Sequence, residues 1–275
     1  MTRGVNRGII EAHRSGLVTS TSLIANGAAF EDAVARIREC PDLSVGLHVN
    51  LTAGKPLAPG AKSSLAGRRG RLYPLGALAA RLTIGAVSSR DLEAEITAQA
   101  ERVIGAGITI SHFDSHQNIH LHPLVGLVLA RVARRMNVPW IRFRHQRPLL
   151  PGLLREAGLL HPRDHARHLL TMLAYQLSTL RDGPPPPSLR RIVGAPQLLS
   201  ASPQQLFGAI LTALEDGVTE WVCHPGHDDD ELRAIIPSAE ADRRATELRV
   251  LTHPDSRMLV QAAGATLVGY NRLPA

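Results

Sequence analysis

The stretch Ile108-Thr-Ile-Ser-His-Phe-Asp-Ser-His-Gln-Asn-Ile-His-Leu-His-Pro123 passes from an apolar β-type run directly into His112, Asp114, His116, His120 and His122. In a strand, side chains two positions apart share a face, so His112, Asp114 and His116 are expected to point the same way. Neutral imidazole and carboxylate are the ligands that zinc and similar divalent ions use when one coordination position stays open for water. Pro123 suits the first turn of a helix running to about Met136. Strand, polar strand end and helix together make a βα unit.

The same alternation extends in both directions. Val5 to Arg14 and Glu31 to Glu39 read as helices, and Val18 to Ala25 and Leu43 to Leu51 as strands. Residues from Thr52 to about Ala77 are rich in Gly, Pro and Arg and read as a loop insertion. Asp91 to Ile104 is amphipathic, with Ser88 or Ser89 as its cap. Beyond Pro123, strands are expected at Val138 to Phe143, Arg191 to Ala195 and Thr219 to Cys223, and Leu153 to Leu180 reads as mainly helical. The run Pro184 to Pro187 marks a stiff proline-rich loop over about residues 182–188. A helix at Pro203 to Glu215 opened by Ser202, a helix at Asp255 to Ala263 and a strand at Thr266 to Tyr270 complete the pattern. The expectation is α/β architecture, one domain over residues 1–275, with parallel strands forming a sheet or barrel.

With 275 residues the chain can bury a large core. The net charge of +7 comes almost wholly from scattered arginines, since Lys55 and Lys62 are the only lysines, and aromatics are 3%. That pattern lacks the stacking surface of a single-strand binder, so no nucleic acid partner is expected. Cys40 and Cys223 form no C-x-x-C pair and read as buried structural cysteines. No apolar run approaches the length of a membrane span, and the N-terminus lacks the apolar core of a signal peptide, so a cytoplasmic setting is expected.

Two further strand ends carry chemistry: His48 with Asn50, which share a face, and His224 with His227 around Pro225-Gly226. In α/β barrels the active site sits at the C-terminal ends of strands. One histidine from each of two strands, a carboxylate and a water suffice for metal-assisted hydrolysis. Each residue has a plainer reading. His112 reads as a strand histidine satisfied by a neighbouring carboxylate rather than as a ligand; His120 and His122 read as solvated or capping; His224 could simply end a strand. Asp228 to Glu231 suits a solvated loop or helix start. His13, His145, His161, His165, His168 and His253 carry no further signal.

These residues, with others in the same order, resemble the YdjC-type carbohydrate deacetylases, which include the chito-oligosaccharide and hopanoid-biosynthesis deacetylases. The resemblance is carried by Gly4 to Leu23 with Asn26-Gly27, by Val45-Gly-Leu-His-Val-Asn-Leu-Thr52 with Gly54-Lys-Pro56, and by His112-Phe-Asp-Ser-His116 with His120-Leu-His-Pro123. Thr219-Glu-Trp-Val-Cys-His-Pro-Gly226 and Val268-Gly-Tyr-Asn-Arg272 continue it to the end. It implies an irregular (β/α) barrel and a metal-dependent hydrolase that removes acetyl groups from N-acetylated amino sugars. It places His48 and His116 as ligands of a divalent ion, Mg2+ or Zn2+. It makes His224 the candidate general acid for the leaving amine and Asn50 a substrate residue. Asp114 becomes either the group that orients a ligating histidine or a substitute ligand. The implied partner is a small carbohydrate or glycolipid, and a homodimer is one implied assembly.

The resemblance departs at two places. Family members begin with an apolar strand ending in an Ala-Asp-Asp-Phe-Gly segment that supplies a metal ligand and a base; this chain starts after it, with Glu11 its first acidic residue. A start codon assigned too far downstream and a true truncation are the two explanations, and the chain starting at Met1 is expected to show little or no deacetylase activity. Asn118 stands where many members carry histidine. Two other readings follow: a non-catalytic remnant that binds sugar or metal, and a metal-dependent phosphoesterase on a related barrel.

Overall fold

The protein is described by a computed structural model at residues 1–58, 64–142, 187, 189, 191–193, 203–212 and 214–273. Its centre is a parallel four-stranded sheet in the order β1 (Ser20–Leu23), β2 (Ser44–Val49), β3 (His112–Ser115) and β4 (Trp140–Ile141). A second parallel pair joins β5 (Arg191–Val193) to β6 (Thr219–Trp221). The α/β class is therefore as expected. Parallel strands covered on both faces are apolar almost throughout, and β2 is buried at every position except His48.

Helices cover the sheet in chain order. α1 (Arg3–Arg14) starts at Thr2, whose hydroxyl accepts from the Val5 amide, and buries Val5, Ile10 and Ala12. α2 (Phe30–Arg38) follows β1, and α3 (Leu75–Thr83) and α4 (Ser89–Gly105) lie between β2 and β3. Ser88 caps α4 by accepting from Arg90 N, as its sequence position suggests. α5 (Pro123–Arg135) opens on Pro123 at its first turn and buries Val125, Val128, Leu129 and Val132, a spacing of three to four residues that makes one apolar stripe. α6 (Pro203–Thr212), the short α7 (Asp230–Arg233), α8 (Ser238–Thr252) and α9 (Pro254–Ala262) complete the set.

Four expectations need correction. The segment read as a loop to about Ala77 already turns helical at Leu75, and α8 lies where no element was expected. α8 is legible only weakly because its buried face includes Arg244 and Glu247, which break the apolar period. Thr266 to Tyr270 is not a strand. It crosses the starts of β1 and β2 through side-chain bonds, with Tyr270 N donating to Ser20 Oγ and Asn271 N to Ser44 Oγ. The strand read through His116 ends at Ser115, and His116 opens a 3-10 turn, His116–Leu121. The helix expected at 153–180, the proline-rich loop at 182–186 and 188, and Ser202 lie outside the described residues.

Register sets up the site. Ser22 pairs with Gly46, and His48 with Asp114. Period two then places Ser22, Gly46, His48, His112 and Asp114 on one face. Gly46 leaves the space that the His112 ring fills. A Cβ at 46 would stand 2.4 Å from His112 Cε1 and 2.5 Å from Nε2. That ring cannot swing aside, because it stacks on Tyr270 with centroids 3.9 Å apart and lies 3.1 Å from Ser22 Oγ. Gly46→Ala is therefore expected to destabilise the protein by about 1–3 kcal/mol. A urea midpoint equal to that of the parent would refute this account of Gly46.

Candidate functional site

The carboxyl ends of β2 and β3 and the segment after β6 open into a cavity of about 1490 Å³. His48, Asp114, His116, Arg142, His224 and Arg244 line it. Three of the strand ends singled out in the sequence thus meet, although they lie up to 176 positions apart.

Asp114 is buried at 2% exposure and organises the floor. Its Oδ1 is 2.8 Å from His48 Nδ1, and its Oδ2 accepts from Ser22 Oγ at 3.0 Å and from Arg142. Burial works against its charge, but His48 and Arg142 outweigh burial and hold the carboxyl well below the ordinary carboxylate range. An ionised carboxylate only accepts, so His48 Nδ1 donates to it, and Nε2 is the ring nitrogen left outside that bond. Asp114 thereby fixes the orientation of the His48 ring. His116 lies across from His48 with ring centroids 5.6 Å apart in an edge-on arrangement. Burial, with the neighbouring His48, lowers its pKa to about 4, so its ring is neutral at pH 7.

His112 does not line the cavity. It is fully buried under Gly46, between Ser22 and Tyr270, and burial reinforced by Arg142 pushes its pKa down to about 3. His112 is a buried strand histidine, but hydroxyls take the place of the expected carboxylate: Ser111 Oγ lies 2.9 Å from Nδ1 and Ser22 Oγ 3.1 Å from Nε2. His120 is likewise buried, with Nδ1 2.5 Å from Ser115 Oγ. Gln117 and Asn118 sit exposed at the cavity with φ of 55° and 53°, both left-handed.

His224 is fixed through its backbone: its amide donates to the Glu247 carboxylate of α8, which also pairs with Arg243 at 3.0 Å. Gly226 N donates to Arg244 O, and the Cα of Gly226 lies where a Cβ on Gly8 of α1 would be, at 2.8 Å. Burial, then Arg244 and Arg243, lower the His224 pKa to about 3. Its imidazole is therefore neutral at rest. The adjacent Cys223 thiol is pushed up by burial and by Glu247, which leaves it protonated and unreactive.

Asn50 is not a cavity residue. Its side chain donates to Asn26 Oδ1 and Ala53 O and accepts from Thr52 N and Ala53 N, while Gln99 of α4 brackets its backbone. Buried Glu95 accepts from Leu57 N and Ala58 N in the same way. The shared-face reading of Asn50 with His48 fails because β2 ends at Val49 and the chain turns. Asn50 pins the start of the loop insertion.

Among the described residues no group of three or more His, Cys, Asp or Glu is arranged to hold an ion. Two imidazoles bound to one zinc through ring nitrogens at about 2.1 Å have centroids roughly 5 Å apart, which is close to the His48–His116 spacing. That spacing is compatible with two positions of a divalent site, with His48 Nδ1 taken up by Asp114 and Nε2 the nitrogen left over. Sequence reasoning missed Ser22, Arg142, Glu220, Tyr270, Arg244 and Glu247. Glu220 and Tyr270 fall inside stretches that carry the family resemblance, and Arg142 is a charge directly after an apolar strand.

The arrangement is that of a parallel α/β protein with histidines and an orienting carboxylate at strand ends facing one large cavity. The chain belongs to the YdjC-like protein family, whose sequence model matches residues 1–262. It is similar to a carbohydrate deacetylase of Brevibacillus brevis, 30% identical over 99% of this chain and 95% of the relative. It is also similar to a carbohydrate deacetylase of Geobacillus stearothermophilus, 31% identical over 98% of this chain and 92% of the relative. A solved structure from Enterococcus faecalis, of a protein with a proposed role in cellobiose-phosphate cleavage, shares the fold. Its TM-score is 0.77 at 22% identity, covering 100% of this chain and 95% of that one. No helix among the described residues is long and apolar enough to cross a membrane.

Proposed function

We propose that the protein is a metal-dependent carbohydrate deacetylase that hydrolyses the acetamide of an N-acetylated amino sugar. The observation that carries this reading is the convergence of His48, oriented by Asp114, with His116 and His224 on one cavity. Relatives at about 30% identity are named carbohydrate deacetylases, which favours amide hydrolysis over phosphoester hydrolysis or simple binding. The cavity exceeds the roughly 300–1,000 Å³ typical of a drug-sized ligand, room enough for more than one sugar ring.

His48 through Nε2 and His116 through a ring nitrogen would hold the ion, Mg2+ or Zn2+, which when bound would supply Lewis-acid polarisation of the acetyl carbonyl. The other work belongs to the chain. Asp114 keeps the His48 proton on Nδ1. His224, unprotonated at rest, accepts the proton released as water adds to the carbonyl carbon, as the negative charge developing beside it offsets the burial and the arginines that disfavour its charged form. It then returns that proton to the amine nitrogen as the C–N bond breaks, leaving acetate and a free amine. The sequence-based role of His224 as general acid is thus preceded by a step as base.

The test is acetate release from N-acetylated chito-oligosaccharides before and after chelation. Where the sequence alone predicts little or no activity for want of a carboxylate base, His224 as base makes turnover the expected result, and that turnover should vanish with chelator and return on adding zinc or magnesium. Deacetylation that survives complete chelation would exclude the metal, and phosphate release from sugar phosphates without acetate release would exclude the deacetylase.

A further inference from the structure

Behind His48 lies a closed circuit of side chains drawn from both sheets. Asp114 binds Arg142, and Arg142 forks to the Glu220 carboxylate on β6. The other Glu220 oxygen accepts from Tyr270 Oη at 2.9 Å, and the Tyr270 ring stacks on His112. His112 reaches Ser22, which donates back to Asp114. Side-chain exposure along the ionic part is low: 2% for Asp114, 18% for Arg142 and 11% for Glu220. We propose that Glu220 and Tyr270 are positioning residues, which act through Arg142 and Asp114 to hold the His48 ring in the orientation that binds a divalent ion. This inference rests on the assignment of His48 as a ligand made above.

Arg142 sits between two carboxylates, Asp114 and Glu220. A planar guanidinium between two carboxylates is fixed by both, and its distance from each reflects their competition. Arg142 is bonded to Asp114 and Glu220 at once, and Glu220 cancels its charge. Without that carboxylate the guanidinium loses one of its two anchors, Asp114 loses the fixed partner that holds its Oδ1 toward His48 Nδ1, and the cavity gains an uncompensated positive charge. Each change disfavours a bound cation. Tyr270 serves the same end by occupying the second Glu220 oxygen, so that the carboxylate cannot rotate. Disturbing the group that orients a metal-ligating histidine typically costs 10–100-fold in metal affinity.

Zinc titration calorimetry on the full chain tests this with Glu220→Gln, which keeps the shape and removes the charge. Zinc affinity is expected to fall about tenfold, and the His48 15N resonances to move toward a mixed tautomer, with the thermal midpoint nearly unchanged. Tyr270→Phe keeps the stack on His112 and is expected to lower affinity by a smaller factor, which covers the case in which Glu220→Gln folds poorly. His48→Ala is the reference. If it binds zinc as tightly as the parent, the ligand assignment itself fails. If His48→Ala loses zinc while Glu220→Gln and Tyr270→Phe bind it like the parent, the ligand assignment stands and the positioning role is wrong.

Discussion

Replacing His224 with glutamine is expected to lower kcat for deacetylation by about 10²- to 10⁴-fold, with KM for the sugar little changed. Glutamine fills a similar volume and can still hydrogen-bond, but it cannot take up a proton and release it within one turnover. The anchoring of position 224 survives the change, because the bond to Glu247 is made by the backbone amide. A loss in kcat alone would therefore report proton transfer rather than a displaced loop. The parent His224 is neutral down to about pH 3, since burial and two arginines disfavour its charged form. Its rate profile should accordingly show no loss between pH 7 and 6, where an ordinary histidine begins to charge. If the glutamine variant turns over within threefold of the parent, the proton is carried by another group and the assignment of His224 is wrong.

The second large effect is on acid stability. His112, His116 and His224 titrate at about 3, 4 and 3 in the folded protein, against 6.5 for an ordinary histidine. Lowered histidine values mean that the folded state resists protonation while the unfolded chain accepts it. Stability is therefore complete above pH 6.5 and is lost as pH falls from there toward 3–4. Near pH 5 unfolding should take up roughly three protons, which corresponds to a loss of about 4 kcal/mol per pH unit. Against a total stability of about 5–15 kcal/mol, the fold should fail between about pH 5 and 4. Urea unfolding followed by circular dichroism at pH 7, 6 and 5 measures this slope. Stability that is flat from pH 7 to 5 would contradict the burial of these rings as described. His112→Gln should remove about one proton from the uptake, and it is the cleanest probe because that ring lies apart from the cavity.

The candidate site was legible where a regular period carried it. His48 and Asp114 could be placed on strands from alternation alone, and their register pairing followed once the strands lay side by side. His116 meets His48 from a turn rather than from the shared strand face on which alternation placed it. Asn50 failed for the same cause: the period of two was extended one residue past the end of β2. Arg142, Glu220 and Tyr270 were invisible because their meaning lies in pairing across two sheets, which no local window contains. α8 was hidden by its own buried charges, the same Arg244 and Glu247 that surround His224. Asp229, by contrast, caps α7 by accepting from Leu232 N, as the acidic run suggested.

The successive left-handed residues Gln117 and Asn118 bear on how this scaffold could be redesigned. A single non-glycine residue in that region costs on the order of 1 kcal/mol, least for asparagine, most for β-branched side chains. Diversification at the cavity mouth should therefore draw on glycine, asparagine and aspartate at these two positions and omit valine, isoleucine and threonine. Both side chains are exposed, and neither belongs to the buried circuit behind His48. A library confined to this turn would sample new contacts to the ligand while leaving the acid–base and ion-binding groups in place.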